Sequence, residues 1–305
     1  MTEILDCIVV GAGPGGLTAA IYLGRFRRDF LVIEDGDPRA GWIPRSHNHP
    51  GFPDGVGGKE LLGRMRLQAG KYGARFERGY VETLTLDADG VFTVTTGEGG
   101  RRARSVLLAT GVKDNEPELP DVYGAVQRGL IRICPICDAF EVIDKAVGVI
   151  GSGDAAAREA LFLRTYTADL KVILLGGEHE ISPENRRSLA EAGIDVLETG
   201  LDRVHLEHDR LVALHFADGA QHRFDVIYTA LGATPRSELA DMVDALSCED
   251  GRLWVNDHQM TSVDGLYAAG DMVRGLNQIS TAQAEAAIAA TDIHNRLRRC
   301  EAPAA

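Results

Sequence analysis

Long apolar runs are missing from this 305-residue chain, so it offers no transmembrane segment. No basic n-region or cleavage site precedes the first apolar stretch, so no secretory signal is read and a cytoplasmic location is expected. Cysteines number five, too few and too scattered for a disulfide framework. Positive charge is short: 32 Lys and Arg stand against 45 Asp and Glu, a net charge of -13. That balance argues against nucleic acid or an anionic membrane as partner. The one basic run, Arg25-Phe26-Arg27-Arg28, is short and reads as a solvated helix end. A second Cys-x-x-Cys is absent too, so the pair at Cys134 and Cys137 lacks the ordered four-ligand set of a structural zinc site, and no metal is expected. The chain does have length for two cores and an apolar fraction of 45%, that of a folded globular protein.

What is present begins with a strand, Ile4 to Val10, opening onto Gly11-Ala12-Gly13-Pro14-Gly15-Gly16. Leu17 to Arg25 follows as a helix and Phe30 to Glu34 as the next strand. Glycines at this spacing allow a tight turn and close approach of a pyrophosphate to the helix N-terminus. Glu34 can accept hydrogen bonds from a ribose, and its charge disfavours a 2'-phosphate, so FAD or NAD fits better than NADP. The pattern returns at Val147 to Ile150, Gly151-Ser152-Gly153-Asp154-Ala155-Ala156, a helix to about Tyr166 and the strand Lys171 to Leu175. No basic cluster follows that strand. A second dinucleotide is expected here; the alternative is a relic loop that keeps the fold without the ligand.

Between the two loops stands Cys134-Pro135-Ile136-Cys137-Asp138. A Cys-x-x-Cys pair near nucleotide domains reads as a redox couple. Asp138 can move the proton that thiolate chemistry requires; the plainer role is a helix N-cap. Cys7 lies in a strand pattern and is expected to be buried and inert. A cysteine pair between two dinucleotide signatures implies electron transfer between a flavin and a disulfide. Toward the C-terminus, Leu266 to Ala269 ends in Gly270-Asp271, and Asp271 can bond a ribityl or phosphate-proximal hydroxyl. A helix over about 281–299 follows, with Ser280-x-x-Gln283 as a capping box; its start offers positive potential to a flavin's pyrimidine edge.

The remaining pattern gives an amphipathic helix over 58–73, and a meander of Val81 to Leu86 and Val91 to Thr96 about a turn at Asp87-Ala88-Asp89-Gly90. Ser105 to Thr110 is a strand, Lys113 to Pro120 a linker, and further strands are read at 194–198, 203–207, 211–216 and 224–230. The fold class is therefore α/β: two Rossmann-like dinucleotide-binding domains, the second inserted into the first. Residues 1–114 and 244–305 form the FAD-type domain, and 115–243 the inserted one.

Taken together these residues resemble the low-molecular-weight thioredoxin reductase family over nearly the whole chain. The anchors are Gly11 to Gly16 with Leu17-Thr18-Ala19-Ala20-Ile21-Tyr22, Asn48-His49-Pro50-Gly51-Phe52-Pro53, Ala109-Thr110-Gly111, Cys134 to Asp138, Gly232-x-x-Pro235 and Ala269-Gly270-Asp271. The resemblance implies a homodimer, one FAD per chain, and a reactive disulfide lying on the isoalloxazine ring. It assigns FAD contacts to Gly11, Gly13, Pro14, Gly15, Gly16, Glu34, Asn48, Val81, Thr110, Gly111, Gly270, Asp271, Gln278 and Ile279. It assigns a second nucleotide site to Gly151, Gly153, Asp154, Ala155, Ala156 and Gly232. Cys137 takes the flavin contact, Cys134 the attack on substrate, and Asp138 the proton. The implied partner is a thioredoxin-like protein or a small-molecule disulfide.

Three positions depart from the family. Its His-Arg-Arg grip on the NADPH 2'-phosphate is replaced by Gly176-Gly177-Glu178-His179, its Gly-Gly-Gln by Ala40-Gly41-Trp42-Ile43-Pro44, and its Arg-Gln pair by Asn277-Gln278. Divergent relatives with such changes take electrons from ferredoxin, hold a second flavin in place of NADPH, or oxidise dithiols with oxygen. The oxidases carry histidine after the second cysteine, where this chain has Asp138. The expected function is FAD-dependent disulfide oxidoreduction with NADPH at best a poor donor, the donor being left open among NADH, NADPH, ferredoxin and a second flavin; the alternatives are an oxygen-using dithiol oxidase and a non-catalytic flavin redox sensor.

Overall fold

A computed structural model describes residues 4–36, 38–116, 121–175, 180–198, 201–207, 211–273 and 275–301. The chain divides into two compact units: Met1–Gly41, Gly57–Lys113 and Thr234–Ala305 form one, Trp42–Val56 and Asp114–Ala233 the other.

The first unit is built on a parallel sheet of five strands, in the order Leu266–Ala268, Val106–Leu108, Cys7–Val10, Phe30–Glu34 and Arg75–Arg78. Its central strand, Cys-Ile-Val-Val, is buried at every position, as an unbroken apolar run in a sheet covered on both faces should be. Helix Pro14–Arg25 follows it and packs along both Gly58–Lys71 and Ile279–Glu301. Small buried residues make that approach close: Ala19 and Ala20 on the first helix, Ala286, Ala289 and Ala290 on the last. The meander forms a second sheet, Val81–Leu86, Phe92–Thr96 and Gly99–Ala103 antiparallel, with Ile4–Leu5 added in parallel. Asp87 makes its turn by accepting from the N–H groups of Asp89 and Val91. Gly99–Ala103 was not legible as a strand because Gly-Gly-Arg-Arg carries no alternation.

The second unit has its own parallel sheet: Ile131–Arg132, Val226–Ala230, Val147–Gly151, Leu170–Leu174 and Asp195–Leu197. Helices Gly153–Leu163 and Pro183–Glu191 accompany it. An antiparallel sheet of Leu201–Glu207, Leu211–Phe216 and Gln221–Phe224 completes it. Residues 224–230 are thus not one strand: Phe224 ends an antiparallel strand and Val226 begins a parallel one. The expected linker is partly ordered, with Val112–Asp114 paired to Ala233–Pro235; residues 117–120 lie outside the described ones. A short helix, Val122–Gln127, follows, capped by Asp121, whose carboxylate accepts from Gly124 N–H at 3.0 Å. Trp42–Val56 groups with this unit, where the Trp42 carbonyl accepts from Gln127 Nε2 at 2.7 Å and its ring meets Tyr123 edge-on.

Two local expectations need correction. Arg28 is not solvated: its side chain is 7% exposed, pairs with Asp6 and donates to His294 Nδ1 at 3.0 Å. Ser280 is not a cap, because the last helix already begins at Ile279, and Gln283 reaches Met65 Sδ instead of the helix start. No helix among the described residues is long and apolar enough to cross a membrane.

Of the described glycines in the first unit, Gly16 leaves least room for a side chain: a Cβ would stand 1.9 Å from the Gly11 carbonyl oxygen. Gly16→Ala is expected to force helix and strand apart and cost about 1–3 kcal/mol. Chemical denaturation checks this, and unchanged stability would contradict the packing described.

Candidate active site

The first glycine loop is shaped for close backbone approach. Gly11 has φ of +103°, and a Cβ there would lie 2.4 Å from the Ala109 carbonyl oxygen. Gly13 caps helix Pro14–Arg25 without any side-chain hydrogen bond, and a Cβ on it would meet nothing within 4 Å. The helix N-terminus therefore opens into free space. Pro14 occupies the first turn and Gly15 lies beside the backbone of Ala282 and Ala269. Open N–H groups and the helix dipole favour an anion there, so the loop fits a dinucleotide pyrophosphate.

The other first-unit candidates already have partners or fixed places in the fold. Glu34 is ion-paired with Arg66, whose guanidinium lies 4.0 Å over the Phe76 ring. Asp271 accepts from Arg39 at 3.0 Å. Gly270 has φ of +87° and donates its N–H to Glu285 Oε2 at 2.7 Å. Thr110 donates to the Arg236 carbonyl at 2.7 Å, Gly111 turns with φ of +68°, and Val81 is buried on the meander. Gln278 donates to the Asn277 carbonyl, and Ile279 opens the last helix. Asn48 belongs to the second unit, where its amide donates to the Ile136 carbonyl at 3.2 Å. Cys7 is fully buried, and burial pushes its thiol well above the ordinary range.

In the second unit, a Cβ on Gly151 would stand 2.7 Å from the Ala230 carbonyl, and Gly153 turns with φ of +55°. Ala156 is buried against the sheet and Ala155 is exposed. Asp154 is tied to the next helix: it accepts from Ser182 N–H at 2.8 Å. The Gly232 carbonyl accepts from Asn115 N–H at 3.0 Å. Gly176 to His179, the segment that departs from the family, lies outside the described residues. Arg186 pairs with Glu198 at 2.5 Å.

Cys134 and Cys137 are joined as a disulfide, with Cα atoms 5.3 Å apart. Pro135 starts a short helix, Pro135–Asp138, whose turn brings the cysteines together through a Cys137 N–H bond to the Cys134 carbonyl. Asp138 is no N-cap. Its Oδ1 accepts from the Tyr228 hydroxyl at 2.7 Å and its Oδ2 from Arg132 Nη1 at 2.8 Å. The two donors stand side by side, because Arg132 and Tyr228 are register partners on adjacent parallel strands. Burial lifts the Asp138 carboxyl above its ordinary range, while Arg132 and Tyr228 hold it down. Glu159, on helix Gly153–Leu163, is pushed up to about 7 by burial and by the Asp138 charge. Arg132, Tyr228 and Glu159 were not among the sequence candidates. Nothing in local spacing marks them, since Tyr228 meets Asp138 across 90 residues.

The family model for pyridine nucleotide-disulphide oxidoreductase matches residues 5–286. The chain is 33% identical to a thioredoxin reductase of Mycolicibacterium smegmatis over 279 residues, covering 88% of each chain. It is similar to the crystal structure of HlmI, with a TM-score of 0.89, 29% identity and coverage of 99% of this chain and 95% of that one. A thioredoxin reductase structure from Streptococcus pyogenes gives a TM-score of 0.90, 25% identity, and coverage of 98% and 100%.

Glu159 generates a pH prediction. Its carboxyl rises from an ordinary 4.5 to about 7 in the folded chain, so between those values the folded state holds a proton the unfolded state has lost. Its contribution is then full below the lower value and is lost as pH rises through the upper one. Glu159→Gln should match the parent in mildly acidic solution and exceed it in stability above neutral pH, by on the order of 2 kcal/mol. Denaturation midpoints against pH test this; parallel curves would contradict it.

Proposed function

The chain belongs to the pyridine nucleotide-disulphide oxidoreductase family, and from that premise we propose how this thioredoxin-reductase-like, FAD-dependent disulfide oxidoreductase works. Electrons are exchanged between FAD in the first unit and the Cys134–Cys137 disulfide, and from there with a disulfide on a thioredoxin-like protein or a small molecule. The observation that carries this reading is the closed disulfide with a partnered, half-buried carboxylate next to it in sequence.

FAD would be held by the Gly11–Gly16 loop, Glu34, Gly270-Asp271 and the start of the last helix, and when bound it supplies a two-electron carrier. Glu34 and Asp271 already have cationic partners, Arg66 and Arg39, so neither carboxylate would meet the dinucleotide as a bare charge. Cys134 is proposed to attack the partner disulfide as a thiolate, forming a mixed disulfide. Cys137 resolves it, and Asp138 moves the proton. Ile136, between the two cysteines, and Phe140, three residues after the second, are 51% and 74% exposed, which supports an apolar partner surface docking there. From the resemblance we carry over, as part of the proposal, a homodimer in the cytoplasm.

The donor is proposed to be other than NADPH. The family meets the 2'-phosphate with charge-assisted arginine bonds, worth roughly 1.5–3 kcal/mol each. Arg186 is the nearest described arginine after the departing segment, and it is occupied by Glu198. Losing two such bonds weakens binding about a hundredfold or more.

Stopped-flow flavin reduction by NADPH and by NADH is expected to show no preference for NADPH. Fast reduction at micromolar NADPH, far better than with NADH, would contradict the donor assignment. Thiol counting before and after chemical reduction should differ by the two thiols of Cys134 and Cys137, and no difference would remove the redox role.

A further inference from the structure

Asp138 is not the only polar group near the cysteine helix whose burial needs an account. Glu159 Oε1 is buried and has no hydrogen-bond partner; the same is true of Glu141 Oε2 and of Arg132 Nε. We propose that Glu159 is a further positioning residue for thiol–disulfide exchange at Cys134–Cys137: it shares one proton with Asp138, which Arg132 and Tyr228 fix in place. This rests on the disulfide-oxidoreductase reading.

The argument is one of charge. Helix Gly153–Leu163 packs against Pro135–Asp138 and against strands Val147–Gly151, Leu170–Leu174 and Val226–Ala230, and against helix Pro183–Glu191. The charged group acting on Glu159 is Asp138, and around Asp138 stand Arg132, Tyr228 and Glu141. Lys171 on strand Leu170–Leu174 is engaged by Asp195. Glu184, Arg186, Arg187 and Glu191 on helix Pro183–Glu191 are exposed, as is Arg158 on Glu159's own helix. Among the described residues, Arg132 is then the cation in this pocket, and it is committed to Asp138 at 2.8 Å. Asp138 and Glu159, with Glu141 beside them, outnumber the one guanidinium, so ionisation of either of the first two opposes ionisation of the other. Asp138 takes the charge because two donors hold it. Glu159, with an oxygen facing no donor, takes the proton.

Exchange with a small dithiol shows what this does. One reductant thiolate attacks Cys134 Sγ, the Cys134–Cys137 bond breaks, and Cys137 leaves as a thiolate. The second reductant thiolate attacks its own sulfur in the mixed disulfide and releases Cys134. Two electrons pass to the pair, and the two protons lost by the dithiol end on Cys134 and Cys137. Asp138, ionised at rest, picks up one proton lost by the dithiol and passes it to Cys137, and its return to the charged state is tolerated because Glu159 is neutral. When Glu159 ionises, Asp138 keeps the proton it has picked up more tightly and passes it on less readily.

The test is pulsed alkylation of Cys134 and Cys137 in the FAD-loaded protein, reduced with dithiothreitol, from mildly acidic to mildly alkaline pH, with rates read by mass spectrometry. The parent is expected to show an inflection near pH 7 in addition to that of the thiol itself. Glu159→Gln should lose the inflection, changing the rate several-fold on one side of it; Glu159→Asp should restore it; Tyr228→Phe should move it. A Glu159→Gln profile superimposable on the parent's overturns the proposal. Should that variant fail to hold FAD, parent-like profiles in both Glu159→Asp and Tyr228→Phe overturn it instead. A parent that gains no thiols on reduction sinks the oxidoreductase reading itself, an outcome distinct from thiols gained with an unchanged Glu159→Gln profile.

Discussion

A carboxylate taken out of water must find donors or hold a proton, and Asp138 meets that constraint next to a disulfide. Its two donors come from neighbouring parallel strands, paired so that Arg132 and Tyr228 share a register position. The strand bearing Tyr228 lies beside Val147–Gly151, which opens the second glycine loop. The helix after that loop, which carries Glu159, packs against the short cysteine helix. The βαβ geometry usually read as a nucleotide cradle thus also assembles the groups around Asp138.

The first unit meets a related constraint with backbone. Gly11 and Gly16 allow a strand end and a helix start to approach within a distance that no side chain tolerates. That closeness leaves the first turn of Pro14–Arg25 facing open space at Gly13. The acids expected to bind hydroxyl groups, Glu34 and Asp271, each carry an arginine. Pairing of this kind offsets the repulsion a carboxylate would exert on a nearby pyrophosphate.

Much of the architecture was legible because its signals are local. Both strand–glycine–helix units follow from apolar runs of strand length and glycine spacing, and the cysteine pair from its separation of three. What escaped is non-local or lacks pattern. Gly99–Ala103 pairs through backbone alone, and Val226–Ala230 was fused with Phe224 because one apolar run crosses two sheets. Arg28 read as solvent-facing, since its partners Asp6 and His294 stand far away in sequence. Arg132, Tyr228 and Glu159 were invisible for the same reason: only strand register and helix packing bring them to Asp138.

The central claim is that electrons pass between the flavin and the Cys134–Cys137 pair. Its most direct test is anaerobic addition of a small dithiol to the FAD-loaded protein while following flavin absorbance, beside a variant carrying both Cys134→Ser and Cys137→Ser. The account predicts bleaching in the parent and none in the double variant, because electrons from the dithiol reach the flavin only by way of the cysteines. Equal bleaching in both proteins would contradict it.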